Sequence, residues 1–509
     1  MTDTWYLDIA AVRIQEWLGR TAPLRLRRGA SALLRQTTAP EVWSGLLDPA
    51  EVTWNAEAGH VDGVVTLRLA PGISDPDEVL GRTARQVAGH LRDRMPALAV
   101  RAVAAHRSSY LAAHRAIEVA IRDGDVLVDL PPAAHEAVAS KSCDWCHAGA
   151  AVTPVTHIDE YDEVCDDCLH RHEAAGYPSA TSDKAPWVET RVARLWAGAH
   201  PDRPLDFPDD FRDLATALRT REDDADTQLA LIYADGNRLG ALLGRLADDD
   251  RVRKADVAVA VDGAVDAALL AALEAVTPAS AGTLPIVPHV VAGDDVMVSV
   301  PASAAWPFVR TLLSTFGTTV GDAMNAVGAQ SVDVSMSAAI VFFHNAYPFP
   351  DVAARTASLL REAKRHVRGL EASVAFLDLT ADGAEAPSGR QPIALAVLED
   401  LAGPVTELRT QVRAAARATL VGLLRDVDST DRTTPTPSTD SGPAGRRESP
   451  MEAVARHLRL AHQDVWRRVL DLPPGESLDT FDDRQRRQLR TALDLARWWP
   501  PANDQEGES

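Results

Sequence analysis

Cysteine is scarce in this 509-residue sequence, and aromatic residues make up 5% of it. The sequence also contains no run of about 18 apolar residues, the length that a membrane-spanning helix needs. Charged side chains occupy positions where a secretory signal peptide would be apolar, namely Asp3, Asp8, Arg13 and Glu16. These absences predict a cytoplasmic protein without a membrane partner.

Positive charge is also in short supply. Lysine and arginine number 52 against 73 aspartates and glutamates, which gives a formal net charge of −21. Phosphate contact requires clustered basic residues, so this balance excludes a free-standing, non-specific nucleic-acid binder. Any RNA contact should be local or shared with partner proteins. The length and the 46% hydrophobic content predict several globular domains.

All four cysteines lie in one short segment, as Cys143-x-x-Cys146 and Cys165-x-x-Cys168. Two such pairs separated by 18 residues are typical of a four-cysteine zinc ribbon. Four protein ligands leave no coordination position open, so we expect a structural Zn²⁺. Free thiols or two disulfides are the alternative, which a cytosolic chain disfavours. Nearby histidines could replace a cysteine, although we interpret them as surface residues: His147, His157, His170 and His172.

An acidic hairpin is the strongest catalytic candidate. Residues 290–300 place Gly293, Asp294 and Asp295 between two apolar, β-branched runs. This pattern predicts two buried strands with adjacent carboxylates at the turn, where Gly293 permits the bend. Buried carboxylates require a neutralising cation, and Mg²⁺ or Mn²⁺ suits carboxylates that share a site with phosphate. An ordinary Gly-Asp turn is the alternative.

A second strand carries another acid. Residues 229–235 form a buried-strand pattern that ends at Asp235, followed by Gly236, Asn237, Arg238 and a helical run. An acid beside a helix start lies near free backbone N–H groups, which suit phosphate. We therefore predict that Asp235, Asp294 and Asp295 hold the metal, and that the backbone of residues 236–238 together with Gly293 binds the triphosphate.

The order of elements predicts a ferredoxin-like β-α-β-β-α-β core. A helix at about 255–276 separates the two acidic strands, and a helix at about 303–327 follows the hairpin. A strand at 332–343 comes next, and then a helix at about 351–368 that carries Lys364. Strands and helices that alternate in this way favour α/β layering.

Together these segments resemble the large, polymerase-like subunit of type III CRISPR effector complexes. The family's hairpin signature is Gly-Gly-Asp-Asp, and Ala292 stands here in place of the first glycine. The resemblance touches most of residues 1–380 and rests on residues 7–9 and 28–34, the paired cysteines, residues 233–237, residues 292–295 and the 335–343 strand with its Lys364 helix.

The resemblance implies an α+β multidomain chain with two palm domains. We predict a first, degenerate palm at 1–140, whose hairpin at 52–54 and 64–69 has no Gly-Asp-Asp turn. A zinc-ribbon insertion and linker follow at 141–225, and the catalytic palm at 226–380. A helical domain at 381–509 completes the chain, with residues 428–450 disordered because they are rich in Ser, Thr, Pro and Gly.

The function that the resemblance implies is Mg²⁺-dependent nucleotidyl transfer from ATP to cyclic oligoadenylate when the assembled complex binds target RNA. Its partners would be repeat-type RNA-binding proteins, small helical subunits, guide RNA and target RNA. Lys364 would contribute a point charge to the triphosphate, with a solvated helical lysine as the alternative. None of the 15 histidines precedes an aspartate, so we expect no His-Asp nuclease in this chain.

Two other functions remain possible from the sequence, a catalytically inactive scaffold subunit and a stand-alone palm-domain signalling cyclase. Two charge clusters also have more than one interpretation. Five arginines between residues 20 and 35 form either a phosphate-facing loop or a basic face docked on acidic elements. The acidic run at 248–250 is interpreted as a solvated loop rather than a ligand cluster.

Overall fold

The computed structural model describes residues 3–21, 23–133, 141–157, 160–175, 187–218, 227–246, 252–329, 334–384, 390–432, 449–473, 475–479 and 482–500. The acidic run at 248–250 lies outside these ranges, and so does most of the 428–450 segment. None of the described helices has both the length and the apolar character needed to cross a membrane.

The first sheet has five antiparallel strands in the order β2-β3-β1-β4-β5. Its first four strands have the ferredoxin-like arrangement, in which the two middle strands are the first and the third. The strands are β1 Thr4–Val12, β2 Val52–Trp54, β3 Val64–Leu69, β4 Ala99–Arg107 and β5 Val128–Leu130. The helices are α1 Ile14–Gly19, α2 Leu24–Thr38, α3 Pro40–Leu46, α4 Pro76–Arg94 and α5 Tyr110–Asp123.

A small two-stranded module and two helices separate the sheets. The module consists of β6 Thr153–His157, β7 Glu160–Val164 and α6 Asp166–Ala174. Two connecting helices follow, α7 Trp187–Ala199 and α8 Phe211–Thr216.

The second sheet has six strands in the order β13-β12-β11-β8-β10-β9. Strands β11, β8, β10 and β9 repeat the ferredoxin-like arrangement, as the sequence predicted. The strands are β8 Gln228–Asn237, β9 Val287–Ala292, β10 Asp295–Pro301, β11 Ser335–His344, β12 Ser373–Asp378 and β13 Ile393–Ala394. The helices are α9 Leu239–Leu246, α10 Lys254–Val276, α11 Ala305–Ala326 and α12 Phe349–His366.

Alternating side chains of β8 face two different apolar layers. Ala230, Ile232 and Ala234 belong to the large core that includes α10 and α11. Leu231 and Tyr233 belong to a smaller core that includes α12. Because the side-chain period of a strand is two, Asp235 lies on the α12 side of the sheet.

Five helices form the carboxy-terminal part of the chain. They are α13 Leu395–Gln411, α14 Ala414–Arg432, α15 Pro450–Leu460, α16 Gln463–Val469 and α17 Asp483–Ala496. Their apolar residues join the large core of the second sheet, where the rings of Trp306 and Trp499 lie 6.0 Å apart. The prediction of disorder from residue 428 was wrong at its start, since α14 continues to Arg432.

The prediction of an arginine-rich loop was wrong. Residues 24–38 form α2, and the side chains of Arg27 and Arg28 are buried rather than directed at solvent. Arg28 forms a buried ion pair with Glu189 of α7. Glycine is tolerated inside this helix because α6 packs closely on it: a Cβ on Gly29 would lie 1.8 Å from the carbonyl oxygen of Arg171. At Arg28, the docked interpretation describes this segment better than the phosphate-facing one.

Candidate active site

The acidic hairpin forms where the sequence predicted it. Strand β9 ends at Ala292 and β10 begins at Asp295, and these two residues pair across the turn. Gly293 has a φ of 58°, which favours glycine, whereas Ala292 is not among the residues with positive φ. Alanine therefore fits the position of the first family glycine without backbone strain.

The third acid lies on the neighbouring strand. Ala234 of β8 pairs with Val296 of β10, so Asp235 and Asp295 are the next positions along the same ladder. Asp294 approaches from the turn, because a Cβ on Gly236 would lie 2.6 Å from its Oδ2 atom. The fold thus brings the three predicted carboxylates to one edge of the second sheet.

Burial and, to a lesser extent, the neighbouring carboxylates together raise the pKa of both hairpin acids to about 7. Asp235 contributes to the rise at both positions. The Tyr233 hydroxyl donates to Asp295 Oδ1 at 3.0 Å and Gln15 Nε2 donates to Asp295 Oδ2 at 3.5 Å. A pair of half-buried acids with pKa values near neutrality is a charge arrangement that a bound cation would relieve.

One cation reaches this cluster within the described part of the chain. Lys364 on α12 forms an ion pair with Asp235 and donates to the carbonyl oxygen of Gly236 at 2.8 Å. Its positive charge also lowers the pKa of Asp295. The alternative of a purely solvated lysine is therefore wrong. The positive charge of Lys364 balances the negative charge of only one of the three carboxylates.

The predicted strand end at Asp235 was wrong by two residues. Gly236 and Asn237 continue β8 and pair with Met336 and Ser335 of β11. Helix α9 begins at Leu239. Gly236 and Asn237 thus belong to the sheet rather than to a helix start. Of the three residues predicted to bind phosphate through their backbone, only Arg238 lies between the strand and the helix.

The side chain of Asn237 has a structural position. It is buried, and its Nδ2 donates to Ser335 Oγ at 2.8 Å, to Ser337 Oγ at 3.0 Å and to the Glu371 carbonyl oxygen at 2.8 Å. Arg238 has a φ of 61°, so the chain turns sharply there before α9. Asn237 therefore fixes the end of the strand that carries Asp235.

Three further residues position the acids, and sequence reasoning missed them. Tyr233 lies two residues before Asp235 on the same face, so the strand period could have identified it. Gln15 comes from α1 of the first sheet, and Arg191 comes from α7. Arg191 donates to the Val291 carbonyl oxygen at 3.1 Å and to Asp266 at 2.8 Å, which holds β9 just before the turn.

The four cysteines converge as predicted. Their Sγ atoms all lie within 4.8 Å of one another, and none forms a disulfide. Among the described residues this is the one group of three or more histidine, cysteine or acidic side chains so close together. The donor set fits a structural zinc, and His147, His170 and His172 are not part of it. The side chain of His157 lies outside the described set.

Two buried, oppositely charged side chains of α6 join the cysteine module to α1 through hydrogen bonds to Trp17. Arg171 donates to Asp167 at 2.9 Å, and Asp167 also accepts from the Trp17 indole at 2.9 Å. Arg171 donates to the carbonyl oxygen of Trp17 at 2.7 Å as well. Since Trp17 lies on α1, the helix that carries Gln15, the module packs against the element that contacts Asp295.

Comparisons with known proteins agree with this geometry. Residues 228–370 match the family model described as Cas10/Cmr2, second palm domain. The chain is similar to Csm1 of the Csm1–Csm4 cassette in complex with pppApA, with a TM-score of 0.53 and 13% identity over 98% of this chain and 69% of that chain.

Two further solved structures are similar at the same level. Csm1 in T. onnurineus gives a TM-score of 0.50 and 14% identity, covering 98% of this chain and 69% of that chain. The Csm1–Csm4 cassette in complex with cA4 gives 0.50 and 14%, covering 97% and 70%. A comparison with curated proteins gives no match. The structural likeness shows a shared fold, and the family match covers the part of the chain that contains the three acids.

Proposed function

We propose that the second palm joins ATP molecules into cyclic oligoadenylate. The observation that carries this proposal is the convergence of Asp235, Asp294 and Asp295 within a Cas10/Cmr2-type palm domain, with Lys364 beside them. The similar solved structures support the reaction class, since they are complexes with cA4, AMPPNP and pppApA.

The three carboxylates would hold Mg²⁺ or Mn²⁺. The bound metal would lower the pKa of an attacking ribose hydroxyl and neutralise charge on the departing pyrophosphate. The half-buried, mutually repelling acids fit this role, because hard cations with phosphate ligands prefer carboxylate oxygens.

The chain's own residues would orient the site and the nucleotide. Lys364 would exchange part of its contact with Asp235 for the triphosphate, as a point charge. Tyr233 and Gln15 would hold the Asp295 carboxylate in one orientation through their hydrogen bonds. Gly293 would leave room for a phosphate at the turn, because no atom of the described residues lies within 4 Å of the position of a Cβ there.

The first palm would act as the partner that covers the nucleotide. It contributes Gln15 to Asp295, yet its own hairpin, β2 and β3, has no adjacent acids at its turn. The cysteine module would hold a structural Zn²⁺ that fixes α6 against this palm. In this proposal, the catalytic metal and the zinc have separate sites and separate roles.

The proposed setting is a type III CRISPR effector complex. Csm1 forms a cassette with Csm4 in the similar solved structures, one of which is described as a subcomplex of the type III-A interference complex. We propose equivalent subunits as partners here, with guide RNA and target RNA bound through the assembled complex. Target RNA binding would start the synthesis.

The experiment uses the complex copurified with this chain, given ATP, Mg²⁺ and matching or non-matching target RNA, with products identified by mass spectrometry. Cyclic adenylates should form with matching RNA and should be absent from an Asp294→Ala/Asp295→Ala complex. An Asp400→Ala complex is the matched control, because this acid is exposed on α13, outside the palm strands that carry the three acids. An intact, RNA-bound complex without nucleotide product would instead indicate a scaffold subunit.

A further inference from the structure

A cavity of about 610 Å³ lies on the second palm, away from the acidic hairpin. It is enclosed by β11 and β12 on one side and by α13, α14 and α17 on the other. Its palm side includes Phe342, which is five residues along β11 from Ser337, the partner of Asp235. At about 3.3 Å per residue, this places the cavity roughly 17 Å from the acids. A volume of this size suits a small-molecule ligand.

The lining of the cavity is positively charged in a strongly acidic chain. It contains five arginines and three aspartates, namely Arg390, Arg409, Arg417, Arg425, Arg497, Asp378, Asp382 and Asp494. The excess of positive charge contrasts with the net charge of −21 for the whole sequence. Such a local reversal of charge favours an anionic ligand.

The three aspartates are already occupied. Arg390 pairs with Asp382 and with Asp494, and all three side chains are largely buried. Asp378 accepts from Arg497 Nε at 3.1 Å and from the Trp498 indole at 2.7 Å. Arg425 also pairs with Asp382 at 3.7 Å, so Arg409 and Arg417 are the lining arginines for which these three carboxylates provide no counterion.

Arg409 and Arg417 have no carboxylate within 4.0 Å in the part of the chain that the structure describes. Arg417 is 7% exposed, and its Nη1 donates to the carbonyl oxygens of Arg409 at 3.0 Å and Val412 at 2.8 Å. Arg409 Nε donates to the Trp499 carbonyl oxygen at 3.2 Å. Burial, together with the charge of Arg409, lowers the pKa of Arg417. Two neighbouring guanidinium groups are thus held at the cavity by neutral acceptors alone.

Small side chains keep the α14 wall of the cavity open. Ala414, Ala418 and Gly422 follow each other at four-residue spacing, so they lie on one face of the helix, and all three are exposed. Larger side chains at these positions would fill the space in front of Arg417. The wall therefore leaves open the cavity that Arg409, which is partly exposed, and the largely buried Arg417 both line.

We propose that this cavity binds a small phosphate-bearing molecule of nucleotide size through Arg409 and Arg417. Planar guanidinium groups bind phosphate oxygens in pairs. A phosphate monoester carries about two negative charges at neutral pH, which matches two unneutralised arginines better than one carboxylate would. The site is separate from the acidic hairpin, so the proposal stands independently of cyclic oligoadenylate synthesis.

Isothermal titration calorimetry on the full chain tests this site. The background is the Asp294→Ala/Asp295→Ala variant without divalent cations, which removes binding through metal at the hairpin. The probes are ATP, inorganic pyrophosphate and adenosine. Arg409→Gln removes one guanidinium, and Ala418→Trp fills the cavity without changing charge. Arg487→Gln, an exposed arginine of α17 outside the lining, is the matched control.

We expect ATP to bind and adenosine to fail, with affinity for ATP at least tenfold weaker in Arg409→Gln and in Ala418→Trp and unchanged in Arg487→Gln. Pyrophosphate binding as tight as that of ATP would assign recognition to the phosphates alone, whereas ATP binding without pyrophosphate binding would assign it to the whole nucleotide. Adenosine binding as tight as ATP, no binding of ATP or pyrophosphate, or unchanged binding of ATP in both cavity variants would overturn the proposal. Circular dichroism verifies that each variant is folded.

Discussion

Lys364 of α12 donates both to the carboxylate of Asp235 and to the carbonyl oxygen of the next residue, Gly236, on β8. This double contact joins the helix to the strand edge where the three acids converge. It is the consequence of strand alternation, because Asp235 lies on the face of the sheet that α12 covers. The positive charge of the lysine thereby partly neutralises the three carboxylates.

Replacing Lys364 by methionine should slow the proposed reaction, because it removes the positive charge that lies beside the three acids. Loss of the ammonium raises the pKa of Asp295, because Lys364 lowers it in the native chain. We expect kcat/KM for ATP to fall at least tenfold, about 1.4 kcal/mol, and the activity profile to move to higher pH. Lys364→Arg should retain most activity. Arg361→Met, an exposed position on the same helix, is the control, and equal losses in both methionine variants would contradict this role.

The raised pKa values of Asp294 and Asp295 make the stability of the metal-free chain depend on pH. Both pKa values are about 7 in the folded chain, against an ordinary value of 3.8. Between these values the folded chain binds more protons than the unfolded chain, so the free energy of unfolding decreases as pH rises. The contribution of the pair is on the order of a few kcal/mol.

Urea unfolding at pH 5 and pH 8 in magnesium-free buffer measures this effect. The Asp294→Asn/Asp295→Asn variant is the comparison, since it keeps the size of both side chains and cannot ionise. The native chain should lose more stability than the variant between the two pH values, and Mg²⁺ should reduce the difference. Identical pH dependence in the two proteins would show that these acids ionise normally.

Gly236 is required because Asp294 lies against it. A Cβ at this position would lie 2.6 Å from Asp294 Oδ2 and 2.6 Å from Leu239 Cδ1. We expect Gly236→Ala to lower the free energy of unfolding by about 1–3 kcal/mol and to reduce metal binding by displacing Asp294. Gly244→Ala is the matched control, because a Cβ there would meet no atom of the described part of the chain within 4 Å, and the change should be neutral or stabilising. Normal metal binding by Gly236→Ala would contradict this prediction, because it would show that displacement of Asp294 does not affect the metal site.

We expect the cysteine module to contain one zinc per chain. We also expect the Asp167–Arg171 ion pair of α6 to stabilise the fold independently of the zinc. Asp167→Asn leaves the buried Arg171 without its carboxylate, so we expect it to lower the free energy of unfolding by about 3–5 kcal/mol with the zinc content unchanged. Cys165→Ser should lose the zinc itself. Elemental analysis and urea unfolding separate the two effects, and zinc loss in Asp167→Asn would indicate that the ion pair supports the ligands directly.

Arg27 should destabilise the fold. Its guanidinium is buried, 3.4 Å from the centroid of the Phe349 ring, and has no hydrogen-bond partner among the residues that the structure describes. Burial lowers its pKa strongly. A methionine keeps the apolar contact and removes the charge, so we expect Arg27→Met to raise the free energy of unfolding by about 1–3 kcal/mol. Arg28→Met should do the opposite, because it leaves Glu189 buried and unpaired. Thermal unfolding of both variants measures these changes. A lower unfolding temperature for Arg27→Met would contradict the prediction and show that the Phe211 and Phe349 rings stabilise the Arg27 guanidinium.

Local sequence patterns predicted the parts of the site that are determined by strand periodicity, turn residues and cysteine spacing. The period of β8 and β10 and the glycine at the turn placed Asp235, Asp294 and Asp295, and the cysteine spacing predicted the module. Gln15 and Arg191 escaped prediction because they reach the hairpin from elements far away in the sequence. Their contacts depend on how the two palms pack, which no local pattern encodes.

The errors have the same physical origin. The five arginines between residues 20 and 35 suggested a loop, yet residues 24–38 form α2, whose Gly29 allows the backbone of α6 to pack closely against it. The predicted strand end at Asp235 failed because pairing with Ser335 and Met336 extends β8 by two residues. Strand β12, which pairs in parallel with β11, was not predicted, since the ferredoxin-like pattern is already complete at β11.

Divalent metal binding at the acidic hairpin tests the central claim most directly. Electron paramagnetic resonance of Mn²⁺, titrated into the zinc-loaded chain in the presence of a non-hydrolysable ATP analogue, reports the bound metal without requiring activity. We expect saturable binding by the native chain, and affinity reduced at least tenfold in Asp294→Ala/Asp295→Ala but not in Asp400→Ala. Equal Mn²⁺ binding by all three proteins would contradict the assignment of Asp235, Asp294 and Asp295 as a metal site.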